Sequence, residues 1–353
     1  MPRNDRLKRL RRRLRPVDAL FVTNLKNVRW LTGFTGSAGY ALVTGTENIL
    51  VTDFRYREQC AREVEGWEVV IEKGGPAQAL KRLGRKLGIK TLGVEDTVSV
   101  GFVESIKKAF KSVRPMRGVV EKLRAVKDKE EIEAIEGAVR VAEEAFRKVR
   151  PHIRAGVSEN AIALRLGERL RREGSEGLPF DIIVAAGENS ALPHARPSSR
   201  RLRPGDLVIV DWGARLGGYC SDMTRSFLLK GRGLAEKKAI YSLVLDANRR
   251  AVEKARAGED TASIDRAARD VIKRAGYGEC FGHATGHGVG LDVHERPGIS
   301  WRRSTRVREG MVFTVEPGIY VPGLGGVRIE DLIAVGPRGK RVLTTLSRKM
   351  ETI

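Results

Sequence analysis

The strongest constraint on the fold is an internal repeat in the second half of the chain. Residues 154–174 (RAGVSENAIALRLGERLRREG) align without gaps on residues 256–276 (RAGEDTASIDRAARDVIKRAG), a shift of 102 positions. Both copies open on Arg-Ala-Gly, offer a helix N-cap at the same offset (Ser158 and Asp260), match Ile162 with Ile264, and close on Gly174 and Gly276. Each follows a long helical pattern, 130–150 and 235–255, and precedes strand-rich sequence. Two copies of one helical unit, each with an apolar face to bury, predict a two-fold pseudo-repeat of helices covering a sheet. A site between the halves is the natural consequence.

The first part of the chain reads differently. Short apolar strands at 18–23, 40–43, 49–52, 67–71 and 91–94 alternate with helical patterns at 54–65 and 76–87, as in an α/β domain on a mixed or parallel sheet. A charged stretch at 120–129 then leads into the long helix. With 353 residues the chain can hold two domains, which we place at 1–122 and 123–353.

A net charge of +22, from 66 Lys+Arg against 44 Asp+Glu, raises the question of a polyanion partner. The first 16 residues alone carry +7, through Arg3, Arg6, Lys8, Arg9, Arg11, Arg12, Arg13 and Arg15 against Asp5. Such an arm could dock on phosphate and give non-specific nucleic-acid binding. The other reading is a solvated helix, because Leu7, Leu10 and Leu14 recur at helical spacing. The composition, 41% hydrophobic and 31% charged, excludes disorder, collagen and disulfide scaffolds. Cys60, Cys220 and Cys280 lack C-x-x-C spacing and read as reduced thiols, hence a cytoplasmic protein. No apolar run approaches the roughly 18 residues of a membrane span. Gln59 and Gln78 are the only glutamines, which fits a heat-resistant composition.

Chemistry enters with the carboxylates. The apolar run Leu207–Val210 ends in Asp211, and a second strand spans 219–229. A hairpin centred between Leu216 and Gly217 sets Asp211 directly opposite Asp222. Downstream, strands at 311–316 and 326–335 flank a turn at Gly323, with Glu316 and Glu330 each seven residues from it. Like charges facing each other across a ladder are destabilising. Four carboxylates turned into a sheet either face solvent or hold divalent cations. Two such pairs, together with the histidines, favour metal.

His287 lies in His283–Ala284–Thr285–Gly286–His287–Gly288–Val289–Gly290, where glycines permit close approach. Four carboxylates and one imidazole favour Mn(II), Fe(II) or Co(II) over zinc. They suffice for two ions about 3.5–4 Å apart if carboxylates bridge, a geometry that generates hydroxide near neutral pH. His194, His283 and His294 also lie in Gly- or Pro-rich segments and can donate hydrogen bonds to substrate or shuttle protons. His152, after Pro151, reads as structure.

At these residues the chain resembles the pita-bread metallopeptidases, in their Xaa-Pro dipeptidase (prolidase) and aminopeptidase P branch. The matching stretches are Val210–Asp211–Trp212–Gly213, Ser221–Asp222–Met223–Thr224–Arg225, 286–295 (GHGVGLDVHE), 311–320 (MVFTVEPGIY) and 326–331 (GVRIED). The start also resembles that branch, through 23–36 (TNLKNVRWLTGFTG) and 52–56 (TDFRY). The resemblance implies a two-domain α/β chain: a creatinase/prolidase-like N-terminal domain and a pita-bread α+β domain with an internal two-fold pseudo-repeat.

It implies further that Asp211 is a terminal bidentate ligand of one ion, that Asp222 and Glu330 bridge, and that His287 and Glu316 complete the other. Glu316 would also be the general base. His194, His283 and His294 would orient substrate and stabilise the oxyanion, and Arg328 would sit beside the bridging glutamate. The reaction implied is hydrolysis, by a hydroxide held between the metals, of the bond from an N-terminal residue to proline. A homodimer acting on short proline-containing peptides is the corresponding expectation.

One departure bears on substrate length. Many prolidases carry an arginine four residues after the His294 position, suited to a dipeptide's carboxylate. Here Gly298 stands there and Arg296 lies two residues earlier. Either Arg296 compensates, or longer X-Pro peptides are accepted; the short chain favours the dipeptidase. A reading from another class, a non-catalytic nucleic-acid or protein binder on the same fold, rests on the basic charge alone.

Overall fold

The computed structural model describes residues 3–353, with side chains from residue 5 onward. The chain divides into two units, Met1–Arg124 and Ala125–Ile353.

In the first unit, β1 (Ala19–Val22), β2 (Tyr40–Thr44), β3 (Asn48–Thr52), β4 (Glu68–Ile71), β5 (Thr91–Glu95) and β6 (Ser112–Met116) form a mixed sheet in the order β4-β3-β2-β1-β5-β6. Helices α1 (Arg3–Arg11), α2 (Leu25–Thr32), α3 (Arg57–Glu63), α4 (Pro76–Lys86), α5 (Val100–Ile106) and α6 (Glu121–Arg124) accompany it. The helix expected over 54–65 is shorter. Asp53 caps a separate 3₁₀ turn, Phe54–Tyr56, before α3 begins, and Val64 is already extended.

The basic start is a packed helix. Leu7 and Leu10 on α1, and Leu14 beyond it, are buried, which is the apolar stripe the spacing implied. Two of the arginines are engaged within the unit. Arg6 donates to Trp30 O at 2.8 Å, and Arg11 donates to Thr44 O at 3.0 Å and Asn48 Oδ1 at 2.8 Å. The side chain of Arg3 lies outside the described residues.

The second unit carries the repeat. Long α7 (Lys129–Val149) precedes α8 (Glu159–Arg172), and long α9 (Ala235–Lys254) precedes α10 (Thr261–Arg274). Ser158 and Asp260 stand at the N-cap of α8 and α10; the Ser158 hydroxyl accepts from Ala161 N, whereas the Asp260 side chain makes no cap bond. The loops before the caps also correspond. Gly156 N–H donates to Leu202 O at 2.8 Å, and Gly258 N–H to Val307 O at 2.9 Å.

The first half holds β7 (Ile183–Ala186), β8 (Leu207–Trp212), β9 (Arg215–Leu216), β10 (Tyr219–Cys220) and β11 (Met223–Leu228), with a sheet ordered β11-β8-β7. The second half holds β12 (Gly286–Gly288), β13 (Glu295–Ile299), β14 (Val312–Val315), β15 (Gly318–Val321), β16 (Gly325–Arg328), β17 (Asp331–Gly336) and β18 (Gly339–Val342). There the sheet runs β13-β12-β14-β17-β18, and β15-β16 forms a separate ribbon.

Two cores pack the unit, the first built mostly from the first half with strand residues such as Val312 and Leu332 of the second, the other mostly from the second half. In the first, Phe146 of α7 stacks on Trp212 of β8 at 4.3 Å between ring centroids, and the buried indole N–H donates to Ala142 O at 2.9 Å. Burying one such ring stabilises the half by roughly 4–6 kcal/mol. In the second, Tyr241, Ile264 and Phe313 pack between helices and strands. Tight packing of both helix pairs fixes the strands whose ends carry the acidic residues.

Candidate metal centre

The two carboxylate pairs arise where strand ladders stop. β14 and β17 pair through Val315 and Asp331, and β15 and β16 pair through Gly318 and Arg328, on one continuous register centred at Gly323. Glu316 and Glu330 fall opposite each other in the gap between these ladders, as the spacing from Gly323 predicted. Pro317, having no N–H, cannot continue the ladder, so Glu316 N–H donates instead to Thr285 O at 2.8 Å and Glu330 N–H to Thr224 O at 3.2 Å.

The first pair corrects the expectation: the turn centre moves by one position and the partner of Asp211 by two. Asp211 pairs with Thr224, not with Asp222, because the hairpin turns at Gly217–Gly218 and not between Leu216 and Gly217. Both glycines have positive φ, +57° and +76°, the backbone of a two-residue turn matched to strand twist. Asp222 therefore sits diagonally from Asp211, just before β11 begins.

His287 comes from β12, a strand wedged against its neighbours. A Cβ on Gly286 would lie 2.0 Å from Thr314 O, and one on Gly288 2.1 Å from Arg296 O. Only glycine permits this approach. The His287 N–H donates to Thr314 Oγ1 at 3.0 Å, and its Nε2 lies 3.2 Å from Glu316 Oε1 and 3.5 Å from Asp222 Oδ2. Ligand atoms of Asp222, His287 and Glu330 all lie within 4.8 Å of one another.

The sequence-derived residues converge on one cavity of about 560 Å³, lined by Asp211, Asp222, His287, Glu316, Glu330, Arg328 and the histidines His194, His283 and His294. Arg328 is buried and donates to Asp211 Oδ2 and Tyr320 OH, both at 2.7 Å, and to Pro193 O at 3.1 Å. His283 Nε2 lies 3.0 Å from Tyr320 OH, and His287 and His294 have ring centroids 4.1 Å apart. Arg296 does not line this cavity.

Sequence reasoning passed over three supporting residues. Thr224 donates to Glu330 Oε2 at 2.7 Å, Thr314 to Glu316 Oε1 at 3.0 Å, and Tyr320 joins His283 to Arg328. The signal for the threonines was strand alternation: each lies two residues from an acidic residue, Asp222 or Glu316, and so on the same face.

The electrostatics show a site short of positive charge. Burial, and then the charges of Glu330 and Asp211, hold Asp222 well above the carboxylate range. Burial, with Glu316 and Asp211, does the same to Glu330. Burial also raises Asp211, against the pull of Arg328. Glu316 departs from the group: burial opposes its ionisation, but the His287 hydrogen bond and charge bring it down to about 2. His287 is correspondingly raised by Glu316 against its own burial, while burial lowers His283 and His294. Asp211 Oδ1 and Asp222 Oδ1 are buried and accept no hydrogen bond. Unsatisfied lone pairs cost about 1–3 kcal/mol each. Clustered carboxylate oxygens, two of them orphaned, beside an imidazole nitrogen form a donor set that fits divalent cations.

Residues 133–337 match metallopeptidase family M24, and residues 6–126 match the creatinase/prolidase N-terminal domain. The chain belongs to metallopeptidase family M24. This M24 chain is 37% identical over 342 residues to an Xaa-Pro dipeptidase of Pyrococcus horikoshii, covering 95% of this chain and 94% of that one. Its fold matches that of an Xaa-Pro dipeptidase from Bacillus anthracis at TM-score 0.96, with 39% identity over 99% of this chain and 100% of the other. It also matches an X-Pro aminopeptidase from Thermotoga maritima at TM-score 0.89, with 40% identity over 99% and 100% of the two chains. The M24 chain thus has the two-domain fold that the resemblance implied, and it is a metal-dependent peptidase. Among the described residues no helix is long and apolar enough to cross a membrane.

Proposed function

We propose that the chain is an Xaa-Pro dipeptidase: it hydrolyses the bond between an N-terminal residue and proline in a dipeptide. The observation that carries this reading is the convergence of Asp211, Asp222, His287, Glu316 and Glu330 on one cavity, in a chain similar over nearly its whole length to Xaa-Pro dipeptidases. In this reading Asp211, Asp222, His287, Glu316 and Glu330 would together hold two divalent cations. The oxygen-rich set favours manganese, cobalt or iron over zinc. When bound, such ions polarise the scissile carbonyl and acidify water.

The chain's own residues do the rest. Glu316 Oε1, held by Thr314, accepts the proton of the attacking water. His283, oriented by Ala284 O and Tyr320, and His194 and His294 donate to the oxygen that becomes negative as the carbonyl carbon turns tetrahedral. Arg328 holds Asp211 in place. The carbon–nitrogen bond then breaks, the water oxygen stays on the acyl carbon, and the proton taken by Glu316 passes to the proline nitrogen. The enzyme works in this reading as a cytoplasmic homodimer, its cysteines reduced as the free Cys60, Cys220 and Cys280 are here. Any nucleic-acid affinity is a non-specific accessory of the exposed arginines of the first 16 residues.

A second reading, an X-Pro aminopeptidase for longer peptides, is favoured by Gly298, which pairs with His287 and leaves open space where a side chain would be. Comparing Ala-Pro with Ala-Pro-Ala hydrolysis by the Mn(II)-loaded protein separates the two. Preference for Ala-Pro supports the dipeptidase, preference for Ala-Pro-Ala supports the aminopeptidase, and inactivity on both removes the X-Pro reading.

A further inference from the structure

We propose that Arg196 is the residue that recognises the free carboxylate of a dipeptide substrate and so sets its preference for dipeptides. The inference rests on the X-Pro peptidase reading. At the proline end, a dipeptide differs from a longer peptide in one chemical respect: it carries a negative charge. The cavity is acidic at its ligand cluster, and Asp181 adds a carboxylate to its lining. An incoming carboxylate therefore needs a cation set apart from that cluster.

Two arginines are among the residues that line the cavity, Arg328 and Arg196. Arg328 is spent: it binds Asp211, Tyr320 and Pro193 O and also donates to Thr224 Oγ1 at 3.2 Å. Arg196 is exposed and makes no hydrogen bond or ion pair with another described residue. Its backbone, by contrast, is held on both sides. Upstream, Arg328 grips Pro193 O; downstream, Ser198 donates its N–H and hydroxyl to the buried Glu159 at 3.0 and 2.6 Å. Pro197 further confines Arg196 to extended backbone. A free guanidinium on a fixed root, one residue beyond the cavity-lining His194 and Ala195, is preorganised for a carboxylate, which it can grip through two parallel N–H···O bonds. Its rivals fail on position: Arg296 does not line the cavity, and Gly298 has no side chain.

The test uses Mn(II)-loaded wild type, R196M and R196K on Ala-Pro and on Ala-Pro-amide, which lacks only the terminal charge. R196M is expected to lower kcat/KM for Ala-Pro by roughly 10- to 100-fold, mainly through KM, and to change Ala-Pro-amide by less than about two-fold. R196K should recover part of the loss, since a point cation replaces a fork. Equal losses on both substrates, or no loss on either, overturn the assignment while wild-type activity upholds the X-Pro reading. Wild type inactive on both substrates overturns the two together.

Discussion

Stripping divalent cations from the protein is expected to lower its unfolding temperature by roughly 10–20 °C, and by more at higher pH. Without cations, Asp222 and Glu330 have carboxyl groups raised above their ordinary range, first by burial and then by neighbouring carboxylates. For an acid whose folded value is raised, ionisation costs folding free energy. The penalty is absent below the unfolded value of about 4, grows as pH climbs toward the folded value, and is complete above it. A cation that binds only the ionised, folded site removes this penalty and adds its own binding. At about 100 times its dissociation constant it stabilises by about 2.7 kcal/mol, hence roughly 5 kcal/mol for two ions. In domains of 150–250 residues each kcal/mol moves the midpoint by about 2–4 °C. Protons compete with cations for Asp222, Glu330 and His287, whose raised values all favour the protonated form. The shift should therefore be larger near pH 8 than near pH 6. Circular-dichroism melts of chelator-treated protein, with and without Mn(II) at both pH values, read it directly. A shift under about 3 °C at both, or a larger one at the lower pH, would refute the reasoning.

Three further outcomes are expected. R328M leaves Asp211 without its guanidinium in a buried site and should cost about 3–5 kcal/mol of stability in chemical denaturation, with activity lost alongside. E330Q removes one of the crowded carboxylates, so the cation-free protein should melt higher than wild type, while Ala-Pro turnover falls on the order of 1000-fold. G286A places a Cβ 2.0 Å from Thr314 O and should cost about 1–3 kcal/mol and weaken Mn(II) binding measured by calorimetry, because β12 must move and His287 moves with it.

Much of this site could be read from the chain. The register between Glu316 and Glu330 was fixed by the single turn at Gly323, and the structure keeps it even though Pro317 interrupts the strands. The register between Asp211 and Asp222 failed by two residues, because moving the turn centre by one position moves the partner by two, and only backbone φ values distinguish Gly217–Gly218 as the turn. The repeat located the helix caps because capping and closing residues are local in sequence. The partners Thr224, Thr314 and Tyr320 were missed since a hydroxyl has no charge pattern to betray it; their roles are set by which strand lies beside them. Arg196 escaped notice for a similar reason. Sequence proximity to His294 pointed to Arg296, whereas folding brings the 193–198 loop to the cavity from the other half of the repeat.

The most direct test of the central claim measures bound metal and turnover on the same sample. We expect about two Mn(II) ions per chain by elemental analysis in protein that releases alanine from Ala-Pro, and no release once chelation has removed them. Hydrolysis of Ala-Pro that persists in fully chelated protein would contradict the account.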